Sequence, residues 1–410
     1  MVEATEKTTA GDDSARSTAA KVLWLIGLTV ALALGAVATL IGIVSLIPGL
    51  GLLSMAGALL APTVAPLVAV LGLVTLAIGL IAVRRGLRRS GGVTSILGGI
   101  AAVTNIFVVA VIVGAVVSAG GSVNLFTATF GLSAMGSSAP DREEVYGASS
   151  TGEDLSVSIY EPAASTGTAA TIMFVHGGGW ISGEPDTLSS ELRTLADNGY
   201  LVVSVEYELA TAEIATWQSA PAQVACAATW IQANAADLGA DLNRLAFWGE
   251  SAGGNLVINT ASAAAEGTAV SSCGGTVPIP TAVVADFPAV DVTSVYENTF
   301  DTAGISTRNF ATSYTGGSPE EFPERYAAVN AATYLNAAIP QTLVMTPMRD
   351  DLIAPADQFA WADAARDLGV EVETVPIPLA NHAYPQFAKN SLGSQGHLSI
   401  AESYLAERLA

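Results

Sequence analysis

The fold of this chain is decided by Gly249-Glu250-Ser251-Ala252-Gly253. This G-x-S-x-G string follows the apolar run Leu245-Ala246-Phe247-Trp248 and precedes an Ala-, Leu- and Asn-rich segment, the order of a buried strand, a tight turn and a helix. In that setting the serine sits on a sharp strand-to-helix turn, with its hydroxyl exposed and a backbone N–H just behind it. The pattern therefore predicts a reactive serine at position 251 in an α/β fold.

A second glycine-rich string, His176-Gly177-Gly178-Gly179-Trp180, follows the apolar run Ile172-Met173-Phe174-Val175. Consecutive glycines let backbone N–H groups turn toward a developing oxyanion, because no Cβ stands in the way. Both strings fall at the carboxyl end of a predicted strand, the edge where ligands bind in sheets of this kind. Each string alone is a weak signal, but the two together in this order indicate acyl transfer.

The general base for such a serine is usually a histidine, because the serine hydroxyl stays protonated at neutral pH. The chain has three histidines, and His176 belongs to the glycine-rich string. His397 lies at the start of the last predicted helix, where we assign it no catalytic role. His382 follows the last predicted strand. The order serine, acid, histidine makes His382 the predicted base.

The acid that orients this histidine should lie between Ser251 and His382, at the end of a strand. Asp350 and Asp351 follow the apolar strand Leu343-Val344-Met345, and position alone leaves both open. An aspartate pair can also indicate a metal site, but no further ligands cluster nearby in the sequence. We therefore predict neither a metal nor an organic cofactor.

Five motifs match a known pattern: H-G-G-G-W at 176–180, S-V-E-Y-E-L-A at 204–210, G-E-S-A-G-G at 249–254, D-D-L-I at 350–353 and the final His382. With these motifs in this order, residues 150–410 resemble the bacterial hormone-sensitive-lipase-like and acetyl-esterase group of α/β-hydrolases. Glu206 and Glu208 depart from the S-V-D-Y-R-L-A string of that group. The resemblance implies a mostly parallel, twisted sheet with helices on both faces.

The resemblance also implies roles for single residues. Ser251 is the nucleophile, Asp350 rather than Asp351 is the acid, and His382 is the base. The implied oxyanion donors are the backbone N–H groups of three residues: Gly177, Gly178 and Ala252. His176 is a structural loop residue in that group.

Trp180 either walls the substrate pocket or packs beneath it. A long insertion at 288–340 is expected to cap the site. Its aromatic residues either line the pocket or pack within the cap, and they include Phe300, Phe310, Tyr314, Phe322 and Tyr326.

Composition divides the 410-residue chain near residue 140. The first part carries seven Lys/Arg against four Asp/Glu, and the rest carries nine against 33. A region this acidic repels nucleic acid, which excludes nucleic-acid binding as its function. The acidity is interpreted as an aid to solubility or to life at high salt, with attraction of cationic substrates as the lesser alternative.

Three apolar stretches in 21–119 predict about three transmembrane helices, since a crossing takes roughly 20 apolar residues. They are 22–47, 64–83 with 50–61 as a re-entrant or interfacial lead-in, and 97–118. A removable signal peptide is not expected, because no small-residue cleavage site follows a short apolar core.

Four arginines mark the loop between the second and third stretches: Arg84, Arg85, Arg88 and Arg89. By the positive-inside rule this loop is cytoplasmic, with anionic-lipid binding as a lesser possibility. The N-terminus is then inside, and the catalytic region lies on the extracytoplasmic side of the cell membrane. Residues 1–20 are predicted to be disordered, 120–149 to be a linker or cap segment, and 150–410 to be the catalytic domain.

Cys226 and Cys273 are the two cysteines, and they form either a disulfide or two free thiols. The predicted function is a membrane-anchored serine carboxylesterase that cleaves short- to medium-chain acyl esters through an acyl-enzyme. The alternatives are an acyltransferase or lipase acting on envelope lipids or glycans, amide hydrolysis, and a non-catalytic membrane receptor. The predicted partner is a small-molecule or lipid ester, and the oligomeric state stays open.

Overall fold

The computed structural model describes residues 3–163, 167–302 and 304–410, and for 3–17 it describes only the backbone. The chain divides into two compact units. One contains the residues up to Val111 together with Leu125–Phe130, and the other contains Ile112–Asn124 and Gly131–Ala410.

The N-terminal unit is built from long helices. They are α1 (Glu3–Leu46), α2 (Leu52–Arg84) and most of α3 (Arg88–Ser118), with a short α4 (Leu125–Phe130). The segment Thr18–Leu46 of α1, all of α2 and all of α3 are long and apolar enough to cross a membrane. By length and composition these three helices indicate membrane anchoring.

Two details of this unit differ from expectation. Helix α1 begins at Glu3, within the stretch 1–20 where we expected disorder, and residues 1 and 2 of that stretch lie outside the described residues. This segment contains no proline, and extending an existing helix costs far less than starting one. Helix α2 runs unbroken through Pro62 and Pro66, where we expected a separate lead-in over 50–61. Proline is tolerated in membrane helices because neighbouring groups satisfy the backbone carbonyls that it frees.

The second unit contains an eight-stranded sheet of order β1-β2-β4-β3-β5-β6-β9-β10. Its strands are β1 (Arg142–Ala148), β2 (Asp154–Tyr160), β3 (Ala169–Val175), β4 (Leu201–Val205), β5 (Ala240–Glu250), β6 (Ala282–Asp286), β9 (Gln341–Pro347) and β10 (Val372–Ile377). Within this sheet, the six neighbouring strands β4, β3, β5, β6, β9 and β10 pair in parallel. Strands β1 and β2 lie at one edge and pair antiparallel. The predicted fold class, a mostly parallel sheet with helices, is confirmed.

Helices connect these strands. They are α5 (Ser189–Asp197), α6 (Ser219–Ala233), α7 (Ala235–Leu238), α8 (Ala252–Glu266), α12 (Pro355–Asp367) and α13 (Leu392–Arg408). The insertion predicted at 288–340 holds α9 (Val292–Glu297), α10 (Thr307–Thr315), α11 (Pro323–Val329), a 3-10 helix (Ala331–Tyr334) and the hairpin of β7 (Asp301–Thr302) and β8 (Ile305–Ser306). A second 3-10 helix spans Tyr384–Phe387.

The stretch 120–149, predicted to be a linker or cap segment, contributes a strand to the sheet. Strand β1 pairs antiparallel with β2, from Arg142 opposite Ile159 to Ala148 opposite Asp154. The charged residues of β1 make this strand hard to recognise in the sequence. An edge strand needs to bury side chains on only one of its faces, and in β1 the buried side chain is Tyr146. The unit also contains a disulfide between Cys226 and Cys273, whose Cα atoms are 5.3 Å apart.

Candidate active site

Ser251 lies on the sharp turn between β5 and α8, as the G-x-S-x-G string predicts. Its φ is +52°, a conformation that residues other than glycine rarely adopt. The backbone N–H of Ser251 donates to the carbonyl of Asp286 at 2.8 Å, and its carbonyl accepts the N–H of Ala289 at 3.1 Å. These contacts from the neighbouring strand end hold the strained turn in place.

Gly253 lets α8 pass close to the end of β3. A Cβ at this position would lie 2.1 Å from the carbonyl oxygen of Val175. Because no side chain intervenes, the glycine-rich loop that follows β3 lies beside the turn of the serine. A Cβ built on Gly177 would lie only 3.3 Å from the Cβ of Ser251. The two strings that the sequence singled out are therefore adjacent in the structure.

His382 bridges Ser251 and Asp350. Its Nε2 lies 3.0 Å from Ser251 Oγ, and its Nδ1 lies 2.8 Å from Asp350 Oδ2. The side chain of Asp350 is fully buried, and that of His382 is 11 % exposed. The other oxygen of Asp350 accepts the backbone N–H groups of Leu352 and Ile353 at 2.8 and 2.9 Å. This geometry suits proton transfer from the serine hydroxyl to the imidazole.

Asp351 points away from His382 and toward Asn381. Its Oδ2 accepts the side-chain amide of Asn381 at 2.7 Å. The amide oxygen of Asn381 in turn accepts the backbone N–H groups of Asp351 and His382, at 3.0 and 2.7 Å. Asp350 is therefore the aspartate that contacts the histidine, and Asp351 supports the loop that carries it.

The predicted oxyanion donors lie around the serine. Ala252 is the first residue of α8, a position whose N–H has no partner within the helix. Gly178 has a φ of +111°, and a Cβ there would lie 2.0 Å from the carbonyl oxygen of Ser182. Glycine is thus required at this bend, which turns the loop of Gly177 and Gly178 past the serine.

His176 is buried beneath this loop. Its ring stacks on Tyr207 with centroids 4.4 Å apart, and its Nδ1 donates to the carbonyl of Gly177 at 2.7 Å. Burial lowers the pKa of His176 to about 4, so the ring is neutral. These contacts are those of a structural loop residue.

A cavity of about 430 Å³ opens over Ser251 and His382. Its walls include apolar side chains from the cap insertion and from the loop after β9: Val295, Ile305, Phe310, Leu352 and Ile353. Of the five cap aromatics named from the sequence, Phe310 lines this cavity.

Trp180 lies at the edge of this cavity, but its ring packs below it. The indole ring is 1 % exposed and stacks on Tyr314 at 4.4 Å. We expected Trp180 either to wall the pocket or to pack beneath it, and its ring contacts match packing beneath the pocket.

Glu206 and Glu208, the two departures from the family string, support the edge of the sheet. Glu206 accepts the N–H of Ser156 in β2 at 2.8 Å, and its carbonyl accepts the Tyr146 hydroxyl at 2.6 Å. Glu208 accepts the N–H and the hydroxyl of Ser150. Both glutamates therefore hold the β1–β2 hairpin.

A buried cluster of ionisable residues behind the serine had no signal in the sequence. Glu250, Asp286 and His397 each place one potential ligand atom within 4.8 Å of the others. Among the described residues, this is the group whose side chains could hold a metal ion. However, His397 Nε2 and Asp286 Oδ2 are 2.7 Å apart, and Trp248 Nε1 donates to that same oxygen at 2.6 Å. These are hydrogen-bond contacts, and they join His397 and Trp248 directly to Asp286.

A family model described as BD-FAE matches residues 157–361, half of the chain. The chain is 36% identical to the carboxylesterase NlhH of Mycobacterium tuberculosis over 104 residues, 25% of this chain and 32% of the relative. It is also 36% identical to an arylesterase of Saccharolobus solfataricus over 110 residues, 26% of this chain and 34% of the relative. The chain thus matches about a third of the length of these curated relatives.

Among solved structures, the chain is similar to a thermophilic esterase from Thermogutta terrifontis with propionate bound. The TM-score is 0.54 at 22% identity, over 65% of this chain and 93% of that one. At this identity the likeness establishes the fold.

Proposed function

The chain belongs to the BD-FAE family of hormone-sensitive-lipase-like α/β-hydrolases, and we propose that it is a membrane-anchored serine carboxylesterase. In this proposal Ser251 is the nucleophile, His382 the general base and Asp350 the acid that orients it. The observation that carries the proposal is the position of His382, within hydrogen-bond reach of both Ser251 Oγ and Asp350 Oδ2.

The proposed reaction has two steps. His382 Nε2 takes the proton of Ser251 as Oγ attacks the ester carbonyl, and then returns it to the leaving alcohol. Water repeats the sequence on the acyl-enzyme. Backbone N–H groups of Gly177, Gly178 and Ala252 receive the oxyanion, each lowering the barrier by roughly 3 kcal/mol. Asp350 keeps the proton of the neutral ring on Nδ1, so that Nε2 is free to act as the base.

The substrate proposed for this site is a carboxylic ester with a short or medium acyl chain. The cavity volume of about 430 Å³ and its apolar walls support an aliphatic acyl group of limited length. The curated relatives that the chain resembles are named carboxylesterase and arylesterase, which supports ester cleavage.

The proposed location is the cell membrane, with the catalytic unit on the extracytoplasmic side. The arginine loop between α2 and α3 supports this orientation through the positive-inside rule. The disulfide of Cys226 and Cys273 also supports it, because disulfides persist outside the reducing cytosol.

Replacement of the nucleophile tests the proposed reaction. Ser251→Ala should abolish hydrolysis of nitrophenyl acetate and butyrate by the full-length chain in detergent, and should abolish labelling by a fluorophosphonate probe. Ser313→Ala is the control, because this serine lies in α10 and is not among the residues that line the cavity. Hydrolysis by Ser251→Ala at the wild-type rate would refute the proposal.

A further inference from the structure

Four ionisable side chains are buried behind the turn of Ser251: Glu191, Glu250, Asp286 and His397. Each is at most 6 % exposed. His397, on α13, is hydrogen-bonded through Nε2 to Asp286 Oδ2 at 2.7 Å, and its Nδ1 lies 3.8 Å from Glu191 Oε2. Burying such groups costs free energy unless they are paired, so their arrangement calls for a physical account.

Asp286 links this cluster to the nucleophile. Its carboxylate accepts hydrogen bonds from His397 and from Trp248 Nε1. Its backbone carbonyl accepts the N–H of Ser251 at 2.8 Å. Because both contacts belong to one residue, a shift of the Asp286 side chain displaces the carbonyl that holds the strained turn of Ser251.

The next residue links the same strand end to the base. Phe287 has a φ of +38° and presents its ring edge-on to His382, with centroids 4.7 Å apart. Its backbone N–H donates to the carbonyl of Met345 at 2.8 Å. The two-residue segment Asp286–Phe287 therefore contacts both Ser251 and His382.

Glu250 joins the cluster to the cavity. It immediately precedes Ser251, lines the cavity, and its Oε2 accepts the side-chain amide of Gln386 at 2.9 Å. Burial and the nearby Asp286 raise the pKa of Glu250 to about 8. Burial alone would lower the pKa of His397, but the Asp286, Glu191 and Glu250 carboxylates raise it to about 9. At neutral pH His397 is therefore the cation of the cluster.

We propose that His397 is a positioning residue for ester hydrolysis, which acts through Asp286 to hold the turn of Ser251 and the ring of His382 in reactive alignment. This inference rests on the proposed function. It assigns a task to a histidine that is not among the residues lining the cavity.

The charged and aromatic groups that face His397 come from four elements. They are Glu191 from α5, Trp248 and Glu250 from β5, Asp286 from β6 and Tyr384 from the second 3-10 helix, while Lys389 acts on Glu191. His397 is the cation hydrogen-bonded to Asp286, so loss of its proton leaves Asp286 without a charged partner.

Two variants of full-length protein in detergent test this inference. His397→Leu removes the charge and the hydrogen bond, and His397→Gln keeps a donor without the charge. A fluorophosphonate titration counts intact sites, so that kcat is expressed per reactive serine. We expect kcat to fall about a hundredfold for Leu and about tenfold for Gln, with KM within about twofold, because small misplacement of reacting groups lowers the rate this much. Tyr404→Phe, on the same helix but outside the cluster, is the control and should keep the wild-type kcat.

The pH profile of kcat supplies a second readout that a merely structural role would not change. Wild-type kcat should fall as pH rises through about 9, where His397 loses its proton, and His397→Gln should lack this limb. An unchanged kcat per titrated serine, or activity lost only in proportion to the number of intact sites, would overturn the inference. If His397→Leu yields no folded protein, His397→Gln decides by the same criteria. A wild-type chain that neither hydrolyses esters nor reacts with the probe would instead contradict the proposed function.

Discussion

At the residue scale, two neighbouring aspartates illustrate the reach of sequence reasoning. The chain order leaves Asp350 and Asp351 equivalent, and only the family resemblance favours Asp350. The structure turns Asp350 toward His382 and Asp351 toward Asn381. Successive side chains point in different directions. Of these two neighbours, one therefore contacts the histidine and the other supports the loop that carries it.

This separation predicts unequal effects of two conservative changes. Asp350→Asn should lower kcat about 10⁴-fold, because its amide N–H₂ opposite Nδ1 favours the wrong tautomer of His382. Asp351→Asn should lower kcat only about fivefold, because the loss of one hydrogen bond of about 1 kcal/mol corresponds to a factor of that size. Steady-state kinetics on nitrophenyl butyrate measure both, and equal losses would contradict the assignment of Asp350.

The buried cluster predicts a loss of stability on the alkaline side. His397 and Glu250 both have folded pKa values raised above their unfolded ones, to about 9 and about 8. The folded state therefore holds these protons more tightly, and this stabilisation is lost as pH rises. The melting temperature should fall between about pH 6.5 and 9, measured by thermal unfolding in detergent. A melting temperature that rises over this window would contradict the expected sign.

At the scale of elements, close passage of helix α8 over strand β3 brings the two glycine-rich strings together. The strings are far apart in the chain, but β3 and β5 are neighbours in the sheet and pair in parallel from Thr171 opposite Leu245 to Val175 opposite Gly249. Strand ends in register place the loop of Gly177 beside Ser251. Sequence patterns predict the strands, and the pairing of strands determines the site.

Gly253→Ala tests this passage. The added methyl would lie 2.1 Å from Val175 O, so α8 must shift, and overpacking of this kind costs about 1–3 kcal/mol or more. We expect a lower melting temperature and a kcat reduced at least about tenfold, since the shift moves Ser251. Gly136→Ala is the control, because its nearest neighbour would be an ordinary 3.8 Å away. Equal behaviour of the two variants would show that the close approach does not matter.

At the scale of the whole molecule, the disulfide and the three apolar helices bear on the compartment in which the catalytic unit lies. Cys226 lies in α6 and Cys273 follows α8, with a sequence separation of 47 residues. In the chain-entropy model a crosslink closing a loop of this length stabilises by about 4 kcal/mol. Reduction should lower the melting temperature of the wild type and leave that of a Cys226→Ala/Cys273→Ala variant unchanged. A wild type unaffected by complete reduction would contradict a stabilising role.

The disulfide also permits a test of orientation with single added cysteines. Leu368→Cys, on an exposed position after α12, should react with a membrane-impermeant maleimide in intact cells. Ser90→Cys, beside the arginine loop, should react only after lysis. The reverse pattern would place the catalytic unit in the cytoplasm.

The sequence by itself determined the fold class, the three apolar helices and the few residues from which a serine hydrolase site can be built. It could do so because motifs, chain order and apolar run length are local properties that a strand-turn-helix unit imposes on the sequence. Only the tertiary structure decided the contact of Asp350, the place of β1 in the sheet and the pairing of His397 with Asp286. That pair spans 111 residues and depends on how α13 docks against β6, and no local pattern encodes which buried side chains will meet.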